Sequence, residues 1–208
     1  MRDGVWGYVI IVLEFSQVPL LTGAMFTTFR GGQTGAWQVH SITPVTGETL
    51  PAMPALSVTH AASISLPPAP STTSWRLIGV ASHLRYTERL EKIALNKVQA
   101  GLGRPEATCA ALIPIRKTAA WWLMSQNERR RIFADKSRHI ADSLTYLPAI
   151  ARQLYHSRDL GGPFDFLTWF EYAPEHIELF EDLVAMLRES EEWQFVEREV
   201  DVRLIRVV

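Results

Sequence analysis

Phe164 to Tyr172 (FDFLTWFEY) is the stretch on which the fold turns. Its apolar positions alternate and it is rich in aromatics, the signature of a half-buried strand rather than a helix. Pro174 follows where a first helical turn tolerates proline, and Glu175 to Arg188 then reads as an amphipathic helix. From Trp193 to Val207 the period returns to two, with Val200, Val202 and Leu204 pointing one way and Glu199, Asp201 and Arg203 the other. Upstream, Gly161-Gly162-Pro163 is a turn. Ser125 and Glu128 form a capping box whose helix is expected to run to about Tyr146, with Ile132, Phe133, Ile140, Leu144 and Leu147 facing inward. Pro148 stops or kinks it, and a second helical piece is expected through Arg152 to His156. Ala110 to Ile115 reads as a buried strand. The second half is thus strand, long broken helix, strand, helix, strand.

The first half is sparser. Phe26 to Phe29 and Ala36 to Ile42 alternate around Gly31-Gly32, which predicts two strands and a turn. Residues 51–74 hold five prolines among Ser, Thr and Ala and read as a loop. Trp75 to His83 predicts a third strand, and Glu88 to Ala100 a helix closed by Gly101 and Gly103. Mixed strands with helices on one face make the fold class α+β. Element order suggests two related units, 25–105 and 106–208, the first abbreviated. Residues 1–24 are expected to lie outside the fold, with Met25 as the expected start. Their apolar run, Val5 to Phe15, is shorter than the roughly 20 residues a membrane-spanning helix needs.

Composition narrows the function. The 208 residues carry 21 basic and 22 acidic side chains, for a net charge of −1, which excludes a strongly basic nucleic-acid binder. One cysteine, Cys109, excludes an intrachain disulfide and a cysteine-based zinc site. The chain has no Gly-x-Gly-x-x-Gly, Walker or Gly-x-Ser-x-Gly motif. Its six histidines never stand four apart on one face, so no multi-histidine zinc site is signalled. A haem needs only one imidazole, and His139, beside the apolar face of the long helix, is the best placed. Periodicity alone equally allows a boundary histidine satisfied by water or a carboxylate.

Arg152 lies among Ile150, Ala151 and Leu154, so it either meets an anionic partner or snorkels its head to water. The adjacent Trp121 and Trp122 face opposite ways in extended chain, and one of them lines a planar cofactor or both pack in the core. Glu189, Glu191 and Glu192 read by default as a solvated helix end.

Several blocks carry a resemblance: IPIRKTAAWWLMS, DKSRHIADSLTYLPAIARQLYHSRDLGGPFDFLTWFEYAPEH and EEWQFVEREVDVRLIR, with FTTFRGGQTGAW and ASHLRYTERLEKIAL upstream. Together they resemble the short, dimeric branch of the chlorite dismutase family. The resemblance implies two ferredoxin-like units of the dimeric α+β barrel type, the N-terminal one truncated, with haem b in the second. It implies His139 as proximal iron ligand, Glu192 accepting from that imidazole's other nitrogen, and Arg152 as the catalytic distal arginine. Trp122 would stand beside the haem, Trp121 near the propionates, Tyr86 at the propionate edge and Gln99 on the distal wall. The reaction implied converts chlorite to chloride and dioxygen through a ferryl haem and transient hypochlorite. The alternatives are a non-catalytic haem-binding or haem-transfer protein and a coproheme decarboxylase-like enzyme, both of which dispense with the distal arginine. The expected partners are a small anionic substrate and a second copy of the chain, with no nucleic acid and no membrane. The expected compartment is the cytoplasm, or the periplasm should residues 1–24 act as a targeting segment.

Overall fold

The computed structural model describes residues 25–63, 74–81, 101–132, 146 and 148–207. Eight strands close into a barrel: β1 (Phe26–Gly32), β2 (Trp37–Thr46), β3 (Ala55–Ala61), β4 (Trp75–Ala81), β5 (Cys109–Lys117), β6 (Ala151–His156), β7 (Phe166–Tyr172) and β8 (Val196–Arg206). Their order around the barrel is β1-β3-β2-β8-β5-β7-β6-β4, and every paired neighbour is antiparallel. The first four strands are contiguous as 4-1-3-2, and the last four repeat that order as 8-5-7-6. Three helices are described: α1 (Ala119–Leu123), α2 (Gln126–Arg131) and α3 (Ile177–Arg188). Among the described residues no helix is long and apolar enough to cross a membrane.

Four sequence expectations are corrected. Ala151–His156, expected as helix, is strand β6, pairing β7 along its length and β4 at its end. Nothing in Ala-Arg-Gln-Leu-Tyr-His forbids a helix, so the decision is tertiary: β6 satisfies its backbone on neighbouring strands. Ala55–Ala61 is strand β3, although the proline count marks 51–74 as loop. The prolines at 51 and 54 precede the strand, and Leu56, Val58 and His60 share one face behind them, with burial falling toward Ala61. β1 and β2 do not form a hairpin; β3 lies between them and pairs with both. Gly31 is required there by space, because the Trp75 indole occupies the place of a Cβ. Trp193 stands in a 3-10 turn, Glu191–Phe195, and the last strand begins only at Val196.

Alternation sorts the side chains into two cores. Inside the barrel lie Phe29, Trp37, Leu56, Leu77, Leu112, Tyr155, Leu167, Trp169, Val200 and Val202. The Trp37 and Trp169 rings meet edge-on with centroids 5.3 Å apart, a preferred aromatic geometry. On the outer face Ile113, Ile115, Phe166 and Phe170 pack with Phe180, Leu183 and Leu187 of α3. β8 is different on that face, since its outward residues are charged. Glu199, fully buried, accepts from Arg188 Nε at 2.8 Å and from Trp193 Nε1 at 2.6 Å, while Asp201 accepts from Arg188 Nη2 at 2.9 Å. These charges lock α3 to β8, and losing one partner of such a buried pair costs about 3–5 kcal/mol.

Candidate functional site

The outer face of β5, β7 and β6 gathers several of the sequence candidates. On β6, Tyr155 faces the barrel interior and Leu154 the outer core, so Arg152, in phase with Leu154, belongs to the outer face. It pairs in register with Phe170 of β7. Burial pushes the Arg152 pKa down, and the Glu192 carboxylate opposes that shift, so the two charges act on each other. A guanidinium remains cationic at any working pH. This face therefore holds a fixed positive charge in a largely apolar setting.

Glu192 is no solvated helix end. Only 6% exposed in the 3-10 turn before β8, it accepts from Lys117 Nζ at 2.7 Å. Lys117, at the end of β5, is 2% exposed and also donates to the Glu192 carbonyl at 3.2 Å. Its ammonium lies 4.6 Å from the Trp121 ring centroid and 5.5 Å from that of Trp193. Trp121 thus walls a buried cation, contact of the kind worth about 2 kcal/mol when desolvated. Lys117 is a site residue that sequence reasoning missed. The signal was available: a lysine two positions beyond Ile115 continues the outward phase of an otherwise buried strand.

Desolvation lowers the Lys117 pKa from its ordinary 10.5, and Glu192, Asp165 and Glu199 oppose that shift. Between the lowered value and 10.5 the unfolded chain binds more protons, so stability should rise with pH across that alkaline window. Lys117→Met is expected to flatten the rise in a urea-midpoint series. Parallel curves for variant and wild type would show that Lys117 does not titrate on unfolding.

Trp121 and Trp122 lie in α1, not in extended chain. Successive helical positions diverge by about 100°, which still separates the two indoles. Trp121 is fully buried, whereas Trp122 is half-buried and stacks on Phe166 with centroids 6.0 Å apart. Asp165 orients Trp122, accepting from its Nε1 at 3.3 Å and from the Lys117 backbone amide at 2.7 Å. The Ser125–Glu128 capping box is formed as expected, with Ser125 N donating to Glu128 Oε2 at 2.7 Å. His139, Tyr86 and Gln99 lie outside the described residues, as does the predicted helix over 88–100.

A half-buried arginine, a lysine-held carboxylate and a pair of tryptophans thus gather at the outer face of a closed α+β barrel. The sequence profile described as chlorite dismutase matches residues 56–207. The chain belongs to the chlorite dismutase family. The curated chlorite dismutase of Ideonella dechloratans is 31% identical over 97 residues, 46% of this chain and 33% of that protein. The chain therefore matches about a third of the length of that relative. The crystal structure of a dimeric chlorite dismutase from Nitrobacter winogradskyi is 65% identical with a TM-score of 0.79, covering 87% of this chain and 99% of that one. A chlorite dismutase from Candidatus Nitrospira defluvii in complex with imidazole shares the fold at 23% identity and a TM-score of 0.61, with coverage of 89% and 93%.

Proposed function

We propose that this chain is a haem b-dependent chlorite dismutase that converts chlorite to chloride and dioxygen and works as a homodimer. The observation that carries the reading is Arg152, a half-buried arginine on the outer sheet face, in register with Phe170 of β7. The 4-1-3-2 strand order found in both halves supports two ferredoxin-like units, 25–105 and 106–208. No helix stands between β1 and β2, which supports truncation of the first. Dimerisation is supported by the 65% identity to a chlorite dismutase described as dimeric.

The residues present fit a haem. The outer core supplies the flat apolar side chains Phe166, Phe170 and Trp122. Glu192 and Arg152 lie close enough for their charges to interact, and among the described residues the buried Nε of Arg129 has no acceptor. His139 would supply the imidazole for iron, and Glu192 would accept from its other ring nitrogen, fixing tautomer and orientation. Lys117 holds Glu192 Oε1, which keeps that carboxylate aimed. When bound, haem supplies the iron at which chlorite is taken apart and the redox range the reaction needs. Arg152 holds the oxyanion by charge-assisted hydrogen bonds, so that its fragments stay together until the oxygens join. The apolar neighbours exclude water. Trp121 braces Lys117, and Tyr86 and Gln99 would border the propionate edge and the distal wall. A haem carrier would have no use for a half-buried distal arginine, which favours catalysis over transport.

An oxygen electrode with chlorite and the haem-loaded protein tests this directly. Steady dioxygen release with one chloride per dioxygen is expected, and a haem-loaded protein that releases none defeats the reading. His139→Ala should abolish the histidine-ligated ferric spectrum and weaken haem retention. An unchanged spectrum would move the ligand to another histidine, such as His156.

A further inference from the structure

We infer that Arg129 and Arg158 form a carboxylate-binding clamp around Trp122, and that its ligand is the carboxylate edge of the bound cofactor; this rests on the haem reading above. The Arg158 guanidinium lies 3.6 Å from the Trp122 ring centroid, and that of Arg129 lies 5.5 Å from the same centroid. Two cations share one indole. The carboxylate near them is Asp165, and it is already committed. Its Oδ2 accepts from the Lys117 amide and from Trp122 Nε1, while its Oδ1 lies 3.7 Å from Arg158 Nη1, beyond hydrogen-bond reach. Among the described residues no ion pair with a carboxylate is found for Arg129, and its Nε is sealed from solvent with no acceptor.

The helix dipole accounts for part of this. Arg129, Arg130 and Arg131 occupy the last turn of α2, where cations are favoured. It does not account for a guanidinium turned inward against an indole with a buried donor unsatisfied. Such a donor bears its full desolvation cost until an acceptor arrives. Guanidinium forks match carboxylates in two-point geometry, and Trp122 fixes both forks at the edge of the outer core where a planar ring system would lie. A flat apolar body with an anionic edge suits that pairing of surfaces.

The test compares haem b with its dimethyl ester, whose carboxylates are capped. Full-length wild-type protein and an R129Q/R158Q double variant are each titrated with both, and the Soret band is followed. Wild type is expected to bind haem b about ten-fold or more tighter than the ester. The double variant should lose most of that preference while holding the ester as wild type does, and R129K/R158K should recover part of it. An equal preference in variant and wild type overturns the clamp. Chlorite is the other oxyanion to hand, so the ionic-strength dependence of kcat/KM is measured alongside. A variant that keeps the haem-over-ester preference but loses salt dependence assigns the pair to substrate capture and overturns the cofactor assignment. A wild type that develops no Soret band with either porphyrin overturns both the clamp and the haem reading. One that binds both alike overturns the clamp alone.

Discussion

Glu192→Ala is expected to destabilise the folded chain by about 3–5 kcal/mol in urea unfolding, far more than a surface carboxylate would. The reason is Lys117. It sits 2% exposed between two indoles, and its ammonium loses the carboxylate 2.7 Å away. A charge left alone in such a place bears a desolvation penalty of several kcal/mol. The double variant Glu192→Ala with Lys117→Met should regain most of the loss, because it removes the stranded charge as well. A double variant as unstable as Glu192→Ala alone would mean that the pair is not what the site depends on. The haem-loaded Glu192→Ala protein should also show a more positive reduction potential, since an imidazole without its acceptor donates less to iron. An unchanged potential would separate Glu192 from the iron ligand while leaving its partnership with Lys117 intact.

Arg152→Ala is expected to reduce sustained dioxygen release by about 10²-fold, the usual cost of losing one charged donor aimed at a developing anion. Haem should be retained, because the proposed iron ligand is elsewhere. What changes is the fate of the chlorine-bearing fragment. Without a guanidinium to hold it, hypochlorite should escape, oxidise added methionine and bleach the haem. Arg152→Lys keeps the charge but loses the planar fork, so it should fall between the two. The effect should be insensitive to pH near neutrality, because the guanidinium does not titrate there. Equal total oxygen from Arg152→Ala and wild type, with no methionine oxidised, would remove Arg152 from the reaction.

The legibility of the site followed the physics of each residue. β7, α3 and the inward-outward split of β8 were readable because their periodicity is set locally by burial on one face. The capping box was readable because both of its partners lie within four residues. β6 was not, because its six residues have no strong preference of their own and are decided by pairing with β7 and with the distant β4, which no local periodicity reports. That misreading had a consequence for topology. With β6 restored, the second half reads strand, helix, strand, strand, helix, strand, the order of a complete ferredoxin-like unit. Glu192 was identified by resemblance, while its composition context, a run of acids at a helix end, argued for solvent. Its burial depends on Lys117, 75 positions away, and no local pattern reports that pairing.

β8 gives the barrel a definite order of biogenesis. It pairs with β2 on one side and β5 on the other, so it joins the two halves of the sheet, yet it is synthesised after all seven other strands, the two it must meet included. Until it arrives, β2 and β5 expose unpaired edges, and the turn carrying Glu192 has no strand to anchor it. On the ribosome the nascent chain can therefore pre-assemble β5, β7 and β6 but cannot close the wall or shelter Lys117. Burial of Lys117 beside Glu192 then belongs after translation of the last strand, and until that moment the open sheet edges are the chain's principal exposure to chaperones and to self-association.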